Sequence, residues 1–209
     1  MTARWVVAWL GLLVGSQFSA AAPAVRDLGH GLSYVRIREL PGDLPAPPAG
    51  GPAAWVIDVR YVAAGREAAV AFAAWLKFRA TPRSPVFVLA NRDTSAELRV
   101  ALQGPHRGTG IAVIGIPGPD FVPDVPVRSN PETEKRAFAA LEEGTPLSVL
   151  LKDHPEKARN DEARLVRSAT APAVGEEATE EKAAVAIPVD AALQRALHLQ
   201  QSLGAMRRE

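Results

Sequence analysis

The sequence contains no cysteine, which excludes a disulfide framework and a thiolate metal site. Aromatic residues make up only 6% of it. Neither sign of charge is in excess: 24 Lys and Arg stand against 23 Asp and Glu, for a formal net charge of +1. Such a chain lacks the basic surplus on which nucleic-acid binding rests, so no nucleic-acid partner is expected. No His, Asp or Glu grouping has metal-ligand spacing. Gly108-Thr-Gly110 precedes a strand pattern instead of following one, so it fails as a dinucleotide fingerprint. Neither a metal nor a cofactor is expected.

What remains is a globular composition, 47% apolar and 22% charged over 209 residues, enough chain for one domain with a sizeable core. The first residues differ from the rest. Arg4 is followed by the apolar run Trp5 to Val14 and then by small residues through Ala22. This order describes a secretory signal peptide, and the run is shorter than the roughly 20 apolar residues of a membrane span. Residues 1–22 are therefore read as a signal, removed between Ala20 and Ala24, with an uncleaved anchor as the alternative. Residues 23–209 then form a single secreted or periplasmic domain with no membrane span.

Hydrophobic periodicity organises that domain. Leu32 to Arg38 alternates and reads as a half-buried strand. Pro41 to Pro52 is a Pro- and Gly-rich loop. Ala54 to Val59 is a short apolar run, as expected of a strand covered on both faces. Gly65 to Arg79 is helical, with Ala69, Phe72, Ala73 and Leu76 on one stripe. Val86 to Ala90 is a second buried strand, Thr94 to Gln103 a second helix, and Ile111 to Ile114 a third strand. Strand–helix–strand–helix–strand implies an α/β fold with a parallel sheet. Beyond it, Val125 to Val127 is extended, and Pro131 to Glu143 reads as an exposed helix. Leu147 to Leu151 is a strand or a helix start. Lys152 to Arg167 carries mixed charges at helical spacing, and residues 168–186 read as an acidic loop or linker. Asp190 caps a helix that runs to Leu203 and stops at Gly204.

Few residues offer chemistry. Thr94-x-x-Glu97 has the spacing of a capping box, in which each side chain reaches the other residue's amide. The same hydroxyl, at a helix start after a buried strand, sits where a nucleophile is favoured. His106 is the nearest imidazole and reads as a loop residue. Asp58 and Arg60 flank the end of the first core strand, as a local ion pair or as the edge of a site. Asp153-His154-Pro155-Glu156 reads as a helix start, and His30 and His198 are isolated.

These segments together resemble the C-terminal-processing (tail-specific) serine peptidases. Ala54-Trp-Val-Ile-Asp-Val-Arg60 is similar to their hydrophobic-Asp-Leu-Arg strand, and Val86 to Leu102 to their nucleophile segment. Ile111 to Gly115 looks like the following glycine strand, and Pro123-Asp-Val-Pro-Val127 like a later hairpin. Asp190 to Leu197 resembles the closing helix, and Leu32 to Ile37 the opening strand. The order is collinear over residues 30–203. The resemblance implies a ClpP/crotonase-like fold, mostly parallel with a βαβαβ core and flanking helices. It places the nucleophile at Thr94, with Ser95 adjacent, and binding positions at Asp58, Arg60, Gly65 and Glu97.

The departures concern the reactive groups. The family's general-base Lys is absent from Gly115-Ile-Pro-Gly-Pro-Asp120. The Gly-Gly that supplies oxyanion amides is replaced by Tyr61-Val-Ala-Ala-Gly65. General-base assistance is worth roughly 10²–10⁴ in rate, and one oxyanion donor about 10²–10³. The expectation is a catalytically inactive peptidase-like protein that binds a peptide or an envelope protein. Its cleft would lie between the Asp58–Gly65 turn and the Thr94 helix start. An active peptidase using Thr94 or Ser95, and a structural cell-envelope protein, are the alternatives.

Overall fold

The computed structural model of the protein describes residues 24–46, 53–104, 106, 108–151 and 188–207. The expected signal (1–22), the mixed-charge stretch 152–167 with its Asp153–Glu156 cluster, and the acidic stretch 168–186 lie outside the described residues.

A six-stranded sheet runs in chain order: β1 (Val25–Asp27), β2 (Leu32–Arg36), β3 (Ala54–Asp58), β4 (Val86–Leu89), β5 (Ile111–Gly115) and β6 (Val125–Pro126). β1 pairs antiparallel with β2, and every later pair is parallel. The helices are α1 (Arg66–Arg79), α2 (Ala96–Ala101), α3 (Pro131–Glu142), α4 (Leu147–Leu150) and α5 (Ala191–Met206). The chain is therefore α/β, with a mostly parallel sheet, a βαβαβ core and flanking helices.

The placement of the helices follows from the strand order. β3, β4 and β5 step across the sheet in one direction, so crossovers of a single hand must lie on one face. Phe72 and Leu76 of α1 and Leu98 of α2 accordingly share a core with Ile57, Val88 and Val113. The opposite face is covered by Leu141 of α3, Leu150 of α4 and Leu193 and Leu197 of α5, against Val56, Phe87, Leu89 and Ile114. Because successive strand residues point to opposite faces, β3 and β4 are buried at every position.

The structure corrects several sequence expectations. β2 is buried from Leu32 to Val35 rather than half-buried, because β1 takes the outer position and both faces are covered. α2 begins at Ala96 with Ser95 as N-cap, so Thr94 does not cap it. α3 is exposed on one side but, unlike the expectation, buries a stripe of Glu134, Ala137 and Leu141. Asp190 does cap α5, its carboxylate accepting from the Leu193 amide, but the helix runs through Gly204 to Met206. That last turn is held in place by Arg207, which donates to the carbonyls of Pro82 and Arg83.

One close approach fixes the end of β5. A Cβ at Gly115 would lie 2.0 Å from the Ala90 carbonyl oxygen and 3.1 Å from the Phe121 ring. Gly115→Ala is expected to lower stability by about 1–3 kcal/mol or more through overpacking. Urea denaturation checks this, and an unchanged midpoint would contradict the packing.

Candidate functional site

The residues after the carboxyl ends of β3 and β4 carry the sequence's candidate chemistry. Asp58 closes β3 on the face that α3 and α5 cover, and Arg60 follows two residues later on the same side. Both are fully buried. The Arg60 guanidinium is shared between two carboxylates. Its Nε lies 3.0 Å from Asp58 Oδ1 and its Nη2 2.7 Å from Asp58 Oδ2. Its Nη1 lies 3.1 Å from Asp190 Oδ1 and its Nη2 2.8 Å from Asp190 Oδ2. Two bidentate pairs on one guanidinium use the planar donor fork fully, which an ammonium could not do. Asp58 also accepts from the Tyr34 hydroxyl at 2.8 Å and from the Arg60 amide at 3.1 Å.

A third carboxylate completes the cluster. Glu134, in the first turn of α3, places Oε1 3.7 Å from Arg60 Nη1 and accepts from Asn91 Nδ2 through Oε2 at 3.0 Å. Glu134 Oε1 is buried without a hydrogen bond. One buried cation thus faces three carboxylates. Burial opposes the charge on Arg60, but Asp190 and then Asp58 outweigh it and hold the guanidinium well above its ordinary pKa. Burial raises the Glu134 carboxyl above its ordinary 4.5, with Arg60 and Asn91 opposing and Asp190 and Asp58 adding to the rise. Burial and the neighbouring Asp58 raise the Tyr34 phenol well above 10.0.

The next residue is conformationally unusual. Tyr61 has φ of 62°, the left-handed region that non-glycine residues seldom occupy. Its ring packs on Phe138 with centroids 4.6 Å apart. The Arg36 guanidinium carbon sits 3.4 Å from the Phe138 centroid, a cation–π contact. Burial, and next Glu134, push the Tyr61 phenol up to about 12.

Thr94 lies beside this cluster but serves the backbone. It is 2% exposed. Its hydroxyl oxygen accepts from the Asn91 amide at 3.1 Å, and its proton points to Val59 O at 3.1 Å or Asn91 Oδ1 at 3.3 Å. Asn91 Oδ1 in turn accepts from the amides of Asp93 and Thr94. This is a side-chain-stabilised turn, not a capping box. Among the described residues, neither a Lys nor a His is a partner of the hydroxyl. The Ser95 hydroxyl is buried without a hydrogen-bond partner, while its amide donates to Val62 O at 3.0 Å.

The sequence candidates therefore separate into two places. Asp58, Arg60 and Thr94 come together around Val59, joined by residues that local sequence reading missed, namely Tyr34, Asn91 and Glu134. Asp190 was recognised as a cap, but not as the second carboxylate of Arg60. Gly65 and Glu97 lie apart from the cluster. Gly65 is the exposed N-cap of α1, and Glu97 is exposed in the first turn of α2. Their two segments meet directly through the Ser95–Val62 and Thr94–Val59 hydrogen bonds. The neighbouring open space is a groove of 460 Å³ between α1 and α2, lined by Arg66, Val70, Glu97 and Val100 among others. Among the described residues, no group of three or more His, Asp or Glu could hold a metal ion, and no helix is long and apolar enough to cross a membrane.

Removing Arg60 leaves three carboxylates buried together, so Arg60→Ala is expected to cost about 3–5 kcal/mol. Asp190→Asn keeps an oxygen for the Leu193 amide and should cost less. Urea denaturation of both variants checks the ranking. Glu134 sets the pH dependence. Its folded pKa is raised, so its contribution is fully present below the ordinary carboxylate range and is lost as pH rises through the folded value. Glu134→Gln should flatten the stability profile above pH 4.5 and leave the protein at least as stable as the native chain at alkaline pH. A steeper profile in the variant would contradict the sign.

Comparison of the chain with protein-family models and with curated protein sequences finds no match.

Proposed function

We propose that this protein is a non-hydrolytic relative of the tail-specific peptidases, with a ClpP/crotonase-like fold, that binds peptide segments outside the cytoplasm. The observation that carries this reading is the state of the Thr94 hydroxyl: buried, engaged by backbone groups of Asn91 and Val59, and without a basic partner among the described residues. A hydroxyl nucleophile needs a base to take its proton. The parallel strand order and the two crossovers on one face are compatible with the inherited scaffold. The amino-terminal signal pattern supports the compartment.

The binding surface that fits best is the groove between α1 and α2. Val70 and Val100 are 63% and 66% exposed there, a costly arrangement for two β-branched apolar residues on one surface. Arg66 lines the same groove and makes no ion pair among the described residues. Apolar walls with a guanidinium (Arg66) on the α1 side and a carboxylate (Glu97) on the α2 side fit a peptide whose carboxyl-terminal residues are apolar, with its terminal carboxylate meeting Arg66 and a backbone amide meeting Glu97.

The test uses the mature chain and a fluorescein-labelled unstructured peptide with an apolar carboxyl-terminal tail. Saturable polarisation is expected, weakened about tenfold or more by Val70→Asp with Val100→Asp, and weakened also when the peptide's terminus is amidated. Mass spectrometry should find the peptide intact after prolonged incubation. Cleavage that disappears in Thr94→Ala with Ser95→Ala would establish a hydrolase instead. Absence of saturable binding would leave a structural envelope role.

A further inference from the structure

At the opposite end of the sheet, below the amino ends of β4 and β5, lies a cavity of 550 Å³, within the usual range of small-molecule sites. Pro85, Phe87, Ile111 and Leu203 give it apolar walls, and His106 and Asp124 supply its polar groups. His106 Nδ1 is 2.8 Å from Asp124 Oδ2, with the two side chains 15% and 34% exposed. Asp124 is itself positioned, since Oδ2 also accepts from the Val113 amide at 2.8 Å. An ionised carboxylate can only accept, so the proton of the neutral imidazole belongs on Nδ1. Nε2 is then a lone-pair acceptor, and no described residue occupies it.

The walls are built, not incidental. Gly110, at φ of 82°, lets its backbone press against Thr81, where a Cβ would lie 2.2 Å from the carbonyl carbon. Its carbonyl accepts from the Val86 amide at 2.8 Å. Arg207 ties the end of α5 to the carbonyls of Pro82 and Arg83. The Thr109 hydroxyl donates to the His106 carbonyl at 2.7 Å, holding the loop that carries the imidazole. Three segments are thus fixed around one mainly apolar space whose described polar side chains are the paired His106 and Asp124.

We propose that this cavity is a binding site for a compact, mainly apolar molecule bearing one hydroxyl group, such as a small phenol, whose O–H donates to His106 Nε2. The apolar walls take the ring, and the imidazole selects the hydroxyl. The site depends on neither the peptidase resemblance nor the α1–α2 groove.

The probe is para-cresol, with toluene and benzoate as comparators, titrated into the mature chain while the His106 imidazole resonances are followed by NMR. Saturable movement with para-cresol is expected. Toluene should bind about fivefold or more weakly, the value of one lost hydrogen bond. His106→Ala should weaken para-cresol to the level of toluene. Leu203→Trp, which fills the cavity from the other wall, should abolish binding of both. Equal affinity for para-cresol and toluene would overturn the proposal, as would tighter binding of benzoate or the absence of any saturable shift. The comparison of ligands on the unmodified chain needs no variant to fold. The groove peptide should leave these resonances unmoved.

Discussion

The structure depends on one buried guanidinium. Arg60 is fully excluded from solvent, and a bare cation there would cost several kcal/mol. It is tolerated because Asp58 and Asp190 grip it bidentately and Glu134 adds a third charge. Buried pairs of this kind add little net stability compared with apolar packing, yet removing the cation would leave uncompensated carboxylates in the core. The consequence is positional. Asp190 lies 130 residues beyond Arg60 in the chain, and it fixes where α5 begins against the sheet. Glu134 does the same for α3, and Tyr34 ties β2 to the same centre. Apolar contacts alone would let these helices slide along Val56, Leu89 and Ile114, whereas the ion cluster permits one register.

That constraint also decides where a ligand can go. Parallel α/β sheets usually bind ligands just beyond the carboxyl ends of their strands. Here that region is filled with the protein's own charges, and Thr94 is spent on holding the Asn91 turn against Val59. Open volume lined by described residues lies between α1 and α2 and at the amino ends of β4 and β5. The strained Tyr61 belongs to the same economy of space. With its backbone in the left-handed region, its side chain packs on Phe138 of α3 beside the cluster.

The core of the fold was legible in the sequence, and the site was not. Ala54 to Val59 and Val86 to Ala90 announce themselves because strands covered on both faces must be apolar throughout. Asp190 was legible as a cap because a cap is a local arrangement. Its pairing with Arg60 was not, since no periodicity links residues so far apart. Glu134 was hidden for a different reason. Pro131-Glu-Thr-Glu134 looks like the polar first turn of a surface helix, and only the position of Arg60 makes one of those glutamates buried. β1 escaped notice because Val25-Arg-Asp27 is short and mostly polar, as an edge strand can be. His106 and Asp124 lie on separate loops, 18 residues apart, and neither neighbourhood hints at the other.

Magnitudes weigh against latent catalysis at Thr94. Freeing its hydroxyl for attack would strip the Asn91 amide of its buried acceptor, a cost of about 1–3 kcal/mol for the orphaned donor alone. Without a general base, which the described residues do not place at this hydroxyl, a further factor of roughly 10²–10⁴ is absent. A rearrangement that brought Glu134 to the hydroxyl would have to break the Asn91 bond and take a charge from beside Arg60, undoing the cluster that sets the positions of α3 and α5. The interactions that hold the fold in one register thus include those that engage this hydroxyl. A binding role needs no such release, because the groove and the lower cavity are open while every bond of the cluster stays in place.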